Sequence, residues 1–265
     1  MPVQHETGTA EAQRELWGRR PHDWSELQEG QDRPLYEAVI AAAGIGPGTQ
    51  LLDCGCGSGL FCRMAADVGA RVSGYDATPE LLEIARERTP DGQFYQGDIQ
   101  WLPWPDDSFD VVTGLNAFML AENPVEALRE AARVANPGGR VVLAVWGRPE
   151  LCEAGAALAS VARLLPPLED TPGPFKLFTP GAAEAALEEA GLTPERVEDV
   201  FCTWSYRSLE TAVRACLSGA VAALAIRHSG DAAVREAVER ALAPHMDESG
   251  ACRLQHVHRL VVARP

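Results

Sequence analysis

The 265-residue sequence has no run of lysine or arginine, no apolar stretch long and unbroken enough to span a bilayer, and no paired C-x-x-C framework. Each absence disfavours a class of function. Against 23 basic residues stand 38 acidic ones, and a formal charge of −15 repels a phosphate backbone unless the basic side chains cluster. Nucleic acid is therefore not an expected partner. The N-terminus, MPVQHETGTAEAQRELWGRR, has neither a basic n-region nor an apolar h-region, so no membrane contact and a cytoplasmic location are expected. Seven cysteines make an odd number in no zinc or redox spacing. Cys54 and Cys56 form a C-x-C pair whose one nearby third ligand is Cys62, so the expectation is reduced thiols and no metal.

What is present is an ordinary globular composition, 46% hydrophobic and 23% charged, at a length suited to one large α/β domain with a small addition. Helix and strand periodicities alternate, the mark of βαβ units around a parallel sheet. A helix over 33–43 ends at the glycine-rich breaker 44–48, and a short buried strand follows over 49–53. A glycine turn then opens into a helix whose apolar face is Leu60, Phe61, Met64, Ala65 and Val68. Strands are predicted over 71–75, 93–96, 109–113 and 140–146. Thr78-Pro79 and Asn123-Pro124 start the intervening helices. Past Gly147 the alternation lapses into a helix over about 150–165 and a proline-rich segment. Thr179-Pro180 opens another helix, a strand spans 192–203, helices over 208–243 break near Gly219 and Ser229-Gly230, and the last strand, Cys252 to Ala263, lies at or near an edge. The predicted fold is a Rossmann-like, doubly wound, seven-stranded, mostly parallel sheet. It divides into an N-terminal lid segment (1–32), a ligand-binding core (33–147), a helical insertion or lid (148–180) and a C-terminal part (181–265).

Gly55-x-Gly57-x-Gly59 removes side chains where a ligand must approach the backbone and aims helix N-terminal N–H groups at it. A dinucleotide turn would read G-x-G-x-x-G, whereas here the third glycine comes one residue early, which favours a ligand without a pyrophosphate. Asp76 ends strand two, where a carboxylate can accept both hydroxyls of a ribose. Asp98 follows strand three and faces the same crevice, since ligands of open parallel sheets bind outside the carboxyl ends of the strands.

With these segments the sequence resembles the class I S-adenosylmethionine (SAM) dependent methyltransferases, in the group related to the quinone-biosynthesis enzymes. LLDCGCGSG (51–59), YDAT (75–78), GDIQWLPWPDDSFD (97–110) and RVANPGGRVVLAVWG (133–147) carry the resemblance. It implies SAM as cofactor and S-adenosylhomocysteine as product. Asp53, Gly55 and Gly57 would surround the methionine moiety, Asp76 would hold the ribose, Asp98 the adenine amino group, and Asn116 would lie near the methionine end. Cys56, Ser58, Gly59, Ala77, Gly97, Ile99 and Leu115 complete the expected cofactor contacts. Cys54 and Trp104 depart from the aliphatic residue and the Phe usual in the family, and neither is a polar ligand.

For the acceptor, Trp17, His22 and Trp24 in WGRRPHDW, Phe118 and Met119 after strand four, Trp146 at the end of strand five, and Phe175 and Phe178 in the insertion are the candidates. An apolar pocket for a neutral or weakly polar small molecule, of the specialised-metabolite kind, is expected. A displacement at a carbon activated by a sulfonium needs orientation above all, and a base only where the acceptor loses a proton. His22, His228, His245, His256 and His258 are of the right type, yet none lies in a motif that fixes a role. His256 and His258, on one face of the last strand, read as surface or packing residues. The competing readings are a SAM-binding protein of the same fold that does not methylate, whether cyclase, rearrangement enzyme or sensor, and a nicotinamide-dependent oxidoreductase, for which no hydride-handling set is evident. A monomer or homodimer is expected.

Overall fold

The computed structural model describes residues 8–165, 177 and 179–265, and in it every predicted strand is found. A short helix α1 (Ala10–Trp17) is followed by α2 (Pro21–Asp23) and by π and 3-10 turns that run to Asp32. Helix α3 (Arg33–Ala43) has Pro34 in its first turn and ends at Gly44, φ +65°. The core then alternates: β1 (Gln50–Cys54), α4 (Leu60–Asp67), β2 (Arg71–Asp76), α5 (Pro79–Arg88), β3 (Gln93–Gln96), β4 (Phe109–Leu115), α6 (Pro124–Val134) and β5 (Ala135–Trp146). After it come α7 (Ala154–Ala162), α8 (Ala182–Glu189), β6 (Thr193–Tyr206), α9 (Leu209–Leu217), α10 (Ala220–Ser229), α11 (Asp231–Leu242) and β7 (Cys252–Arg264). Among the described residues no single helix is long and apolar enough to cross a membrane.

The sheet has the order β3-β2-β1-β4-β5-β7-β6. The first five strands pair in parallel, and β7 inserts antiparallel between β5 and β6. Adjacent apolar residues in the central strands serve opposite faces: Leu52, Val112 and Leu143 pack with α6 and α8, while Leu51, Val111 and Val142 pack with α3 and α4. A third cluster sits beyond the carboxyl ends of the parallel strands. There Trp204, Tyr206 and Leu254, on the far ends of β6 and β7, meet α7, α9, α10 and α11.

Three details differ from the sequence reading. Strand β5 starts at Ala135, because Phe109 pairs with Ala135 before the register jumps to Val111 and Arg140 across the turn at Gly138, φ +80°. Thr78 precedes α5 but its hydroxyl makes no capping bond, and its N–H donates to Asp76 Oδ1 at 2.8 Å. Asn123, by contrast, caps α6 with its side chain, which accepts from the N–H groups of Val125 and Glu126. His256 and His258 are fully buried, since β7 is flanked on both sides and covered by α3 and the 24–32 turns; they are not surface residues.

Candidate functional site

The carboxyl ends of β1, β2, β3 and β4 converge on one hollow. Backbone N–H groups of Gly55 and Cys56 donate to the Tyr75 carbonyl at 2.7 and 3.3 Å, which folds the glycine turn against the end of β2. Gly55 has φ +73°, and a Cβ there would sit 2.4 Å from the Ala117 Cβ, so no other residue fits. Asp76 accepts from the Gly57 N–H at 2.9 Å, and its burial pushes the carboxyl pKa up against the backbone bonds that favour the charge. Asp98 Oδ1 accepts from Gln100 N–H at 3.0 Å, and Oδ2 from the Ala10 N–H at the start of α1, at 3.1 Å. Asn116, at the end of β4, holds the left-handed conformation, φ +56°.

Of the residues expected at the cofactor, Gly55, Gly57, Asp76 and Ala77 line this hollow, as do Gly97, Asp98, Ile99, Leu115 and Asn116. Asp53, Cys56, Ser58 and Gly59 stand behind it. Asp53 is buried, bonded by Thr113 Oγ1 at 2.6 Å, and burial raises its pKa to about 7. Ser58 donates to Glu29 at 2.6 Å, Gly59 opens α4 at φ +77°, and Cys56 packs against Gly74.

A second, more apolar hollow adjoins the first. They enclose about 770 and 1000 Å³ of non-atom space, part of it open solvent. Met119 and Trp146 line the second, together with residues of α7 and of the α9–α10 junction. Trp17 and Trp24 stack edge to face, ring centres 4.7 Å apart, and belong to both hollows. Phe118 is fully buried, its ring filling the space over Gly114 in the core, and His22 is exposed beside Glu26. Phe175 and Phe178 lie outside the described residues.

The sequence reading missed how firmly residues 28–32 are built in. Glu29 accepts from Ser58 and from Arg88, at 2.5 Å, and lies 3.3 Å from the Leu60 N–H at the start of α4. Its pKa is raised because burial outweighs Arg88. Gln28 accepts from the Tyr206 hydroxyl at 2.8 Å, and Gln31 holds the Ser205 N–H at 2.8 Å. Asp32 Oδ1 accepts from Trp204 Nε1 at 2.9 Å and lies 3.1 Å from His258 Nε2. Burial opposes ionisation of Asp32, yet the His258 partner, with His256 and the Trp204 bond, outweighs it and holds the carboxyl below its ordinary value. His258 Nδ1 is 3.5 Å from Asn116 Nδ2. His256, wedged between Trp146 and Trp204, has no hydrogen-bond partner among the described residues, and burial lowers its pKa to about 3. One group of possible metal ligands, Asp32, Cys202 and His258, lies within 4.8 Å; burial raises the Cys202 thiol to about 12, so it is protonated beside that pair. The period-two pattern of LQHVHRLVV, with both histidines on the face of Leu254 and Leu260, was the signal available for their burial.

A methyltransferase-domain family, Methyltransf_11, matches residues 52–143. An uncharacterized protein of Mycobacterium tuberculosis is 32% identical over 198 residues, which cover 72% of this chain and 70% of that protein. A demethylmenaquinone methyltransferase of Renibacterium salmoninarum is 37% identical over 123 residues, 46% of this chain, and the match spans about half (52%) of that enzyme. Among solved structures, an S-adenosylmethionine dependent methyltransferase from Mesorhizobium loti superposes with a TM-score of 0.51 at 22% identity, covering 89% of this chain and 98% of its own. The [4+2]-cyclase SpnF does so with a TM-score of 0.56 at 22% identity, covering 88% and 80%. These two speak for the fold alone. Sheet order, glycine turn and family match agree: the chain belongs to the class I SAM-dependent methyltransferase family.

Proposed function

We propose that this chain transfers the methyl group of SAM to a small, largely apolar acceptor, of the specialised-metabolite kind, with SAM in the first hollow and the acceptor in the second. The observation that carries the reading is the shared wall: one hollow is ringed by the strand-end carboxylates Asp76 and Asp98, and it meets an apolar one at Trp17, Trp24, Asp32, Asn116 and Leu120. Two buried polar atoms of that wall have no hydrogen-bond partner among the described residues, the donor Trp24 Nε1 and the acceptor Asn116 Oδ1. A methionine end, with its carboxylate and ammonium, offers one group for each. Asp76 would hold the ribose and Asp98 the adenine amino group. When bound, SAM supplies a methyl carbon already activated by the sulfonium; the chain orients the two partners and excludes water.

Of the segments 1–32 and 148–180, expected as the cover, the described residues supply α1 and α7 to the walls of this site, and 1–7, 166–176 and 178 lie outside the described residues. The net charge of −15 supports a neutral acceptor over a polyanion, and a cytoplasmic enzyme is the setting that fits. The test is calorimetry and thermal melting with SAM, S-adenosylhomocysteine and NAD, followed by methyl-labelled SAM with a cell extract and mass spectrometry of the product. SAM and its product are expected to bind and to raise Tm. A shift with NAD and none with either sulfur compound defeats the cofactor assignment. Binding without transfer to any small molecule defeats the methylation.

A further inference from the structure

We infer that Asp32 takes hold of the acceptor's hydroxyl and receives its proton, so that the acceptor is a neutral, ring-bearing alcohol or phenol and the product its methyl ether. The inference rests on the proposed use of SAM. Five residues belong to both hollows, and a group handed from one to the other must pass them. Asp32 is the one among them that ionises. A buried carboxylate is costly to keep without a role or a partner, and this one is 8% exposed. Its Oδ1 accepts from Trp204 Nε1 at 2.9 Å, and His258 Nε2 stands 3.1 Å from it at ion-pair distance. Among the described residues Oδ2 makes no hydrogen bond, which leaves it for a ligand.

The surroundings fit a single proton acceptor. On β7, His258 and His256 face Asp32; on β6, Cys202 and Trp204; on α3, Tyr36; and Asn116 follows β4. Burial keeps three of these neutral near pH 7: His256 falls to about 3, Cys202 rises to about 12, and Tyr36 is pushed well up. Asn116 Nδ2 lies 3.5 Å from His258 Nδ1, and His258 Nε2 lies 3.1 Å from Asp32. In the second hollow the remaining polar wall is Gln28, whose oxygen already serves Tyr206, so an acceptor finds one anionic oxygen among apolar and indole surfaces. A carboxylate acceptor would meet like charge there, whereas a hydroxyl finds an acceptor for its hydrogen. In the transfer the acceptor's O–H proton passes to Asp32 only as the new bond forms and makes that proton strongly acidic, since a carboxylate held below its ordinary pKa does not take a proton from a free hydroxyl. A lone pair on that oxygen forms the new bond to the methyl carbon, and the electron pair of the broken carbon–sulfur bond stays on sulfur.

The probes are 2-naphthol and 2-methoxynaphthalene, which share their rings and differ in the hydroxyl. In calorimetry on the full chain saturated with S-adenosylhomocysteine, 2-naphthol is expected to bind roughly ten-fold more tightly than the ether. Asp32→Leu should erase that preference, with folding checked by circular dichroism. With methyl-labelled SAM, formation of the ether from 2-naphthol should fall about 100-fold in Asp32→Asn. Equal binding of the two probes by the wild type, failure of both to bind, or no transfer to 2-naphthol overturns the inference without needing a folded variant. So does a preference that survives Asp32→Leu. Loss of S-adenosylhomocysteine affinity in Asp32→Asn would make Asp32 a cofactor ligand instead. A wild type that does not bind S-adenosylhomocysteine refutes the underlying cofactor reading and is thereby distinguished.

Discussion

Replacing Glu29 tests whether the segment before α3 is part of the cofactor turn or merely lies over it. Its carboxylate is 3% exposed and holds Ser58 and Arg88, with the first N–H of α4 at 3.3 Å. Glu29→Ala leaves the fully buried Ser58 hydroxyl without its partner, at about 1 to 3 kcal/mol. Arg88 loses its ion pair but keeps the Ser58 and Ser25 carbonyls and has a side chain 23% exposed, so the cost of about 3 to 5 kcal/mol for breaking a buried pair is heavily discounted. The expected sum is about 2 to 4 kcal/mol of stability, and for a chain of this size that lowers Tm by roughly 4 to 16 °C. Glu29→Gln keeps the shape and separates charge from contact. Burial raises the Glu29 pKa above its unfolded value, so its contribution to stability is fully present below about pH 4.5 and is lost as pH rises through the folded pKa. Glu29→Gln should therefore lose less stability than the wild type over that rise. Urea denaturation of the three proteins between pH 4.5 and 8, with S-adenosylhomocysteine calorimetry alongside, measures both effects. A cost for Glu29→Ala below about 0.5 kcal/mol, with cofactor affinity unchanged, would show that residues 24–32 are only a surface cover.

Asp76→Ala should weaken S-adenosylhomocysteine binding by about 1 to 3 kcal/mol in calorimetry while the circular dichroism spectrum is kept. His256, buried with its pKa near 3 against 6.5, favours the folded state above pH 6.5 and loses that contribution as pH falls towards 3. His256→Leu should thus lose less stability than the wild type on that acid limb in urea melts. Asn123→Ala removes the cap of α6 and should cost about 1 kcal/mol in the same assay.

The parallel half of the fold was legible because each element there announces itself locally. Gly44 stops a helix, a run such as LLDC can only be a strand buried on both faces, and Asn123-Pro124 is a helix start that reads from two residues. The ring of strand ends was legible for the same reason, since Asp76 ends a strand and Asp98 and Asn116 come within two residues of one. What could not be read was long-range. Nothing near Asp32 in the chain shows that it meets Trp204 and His258, contacts made by β6 and β7 crossing over from the far end of the sequence. Charged residues in EGQD resemble a solvated turn, and tertiary pairing alone buries Glu29 and Asp32 there. For His256 and His258 alternation gave one shared face and left surface and packing roles open, and burial selects packing.

Asp98 has two claimants. Its Oδ2 receives the first N–H of α1, while in the proposed reading the same carboxylate serves the adenine of SAM. Helix α1 continues into a segment that Glu15, Arg20 and Asp23 tie by ion pairs to Arg227, Asp231 and Arg214 beyond β6, and its Trp17 and Trp24 border both hollows. One latch therefore serves two chambers. In the proposed reading the two ligands share this border, so a displacement of Trp17 and Trp24 opens both hollows at once.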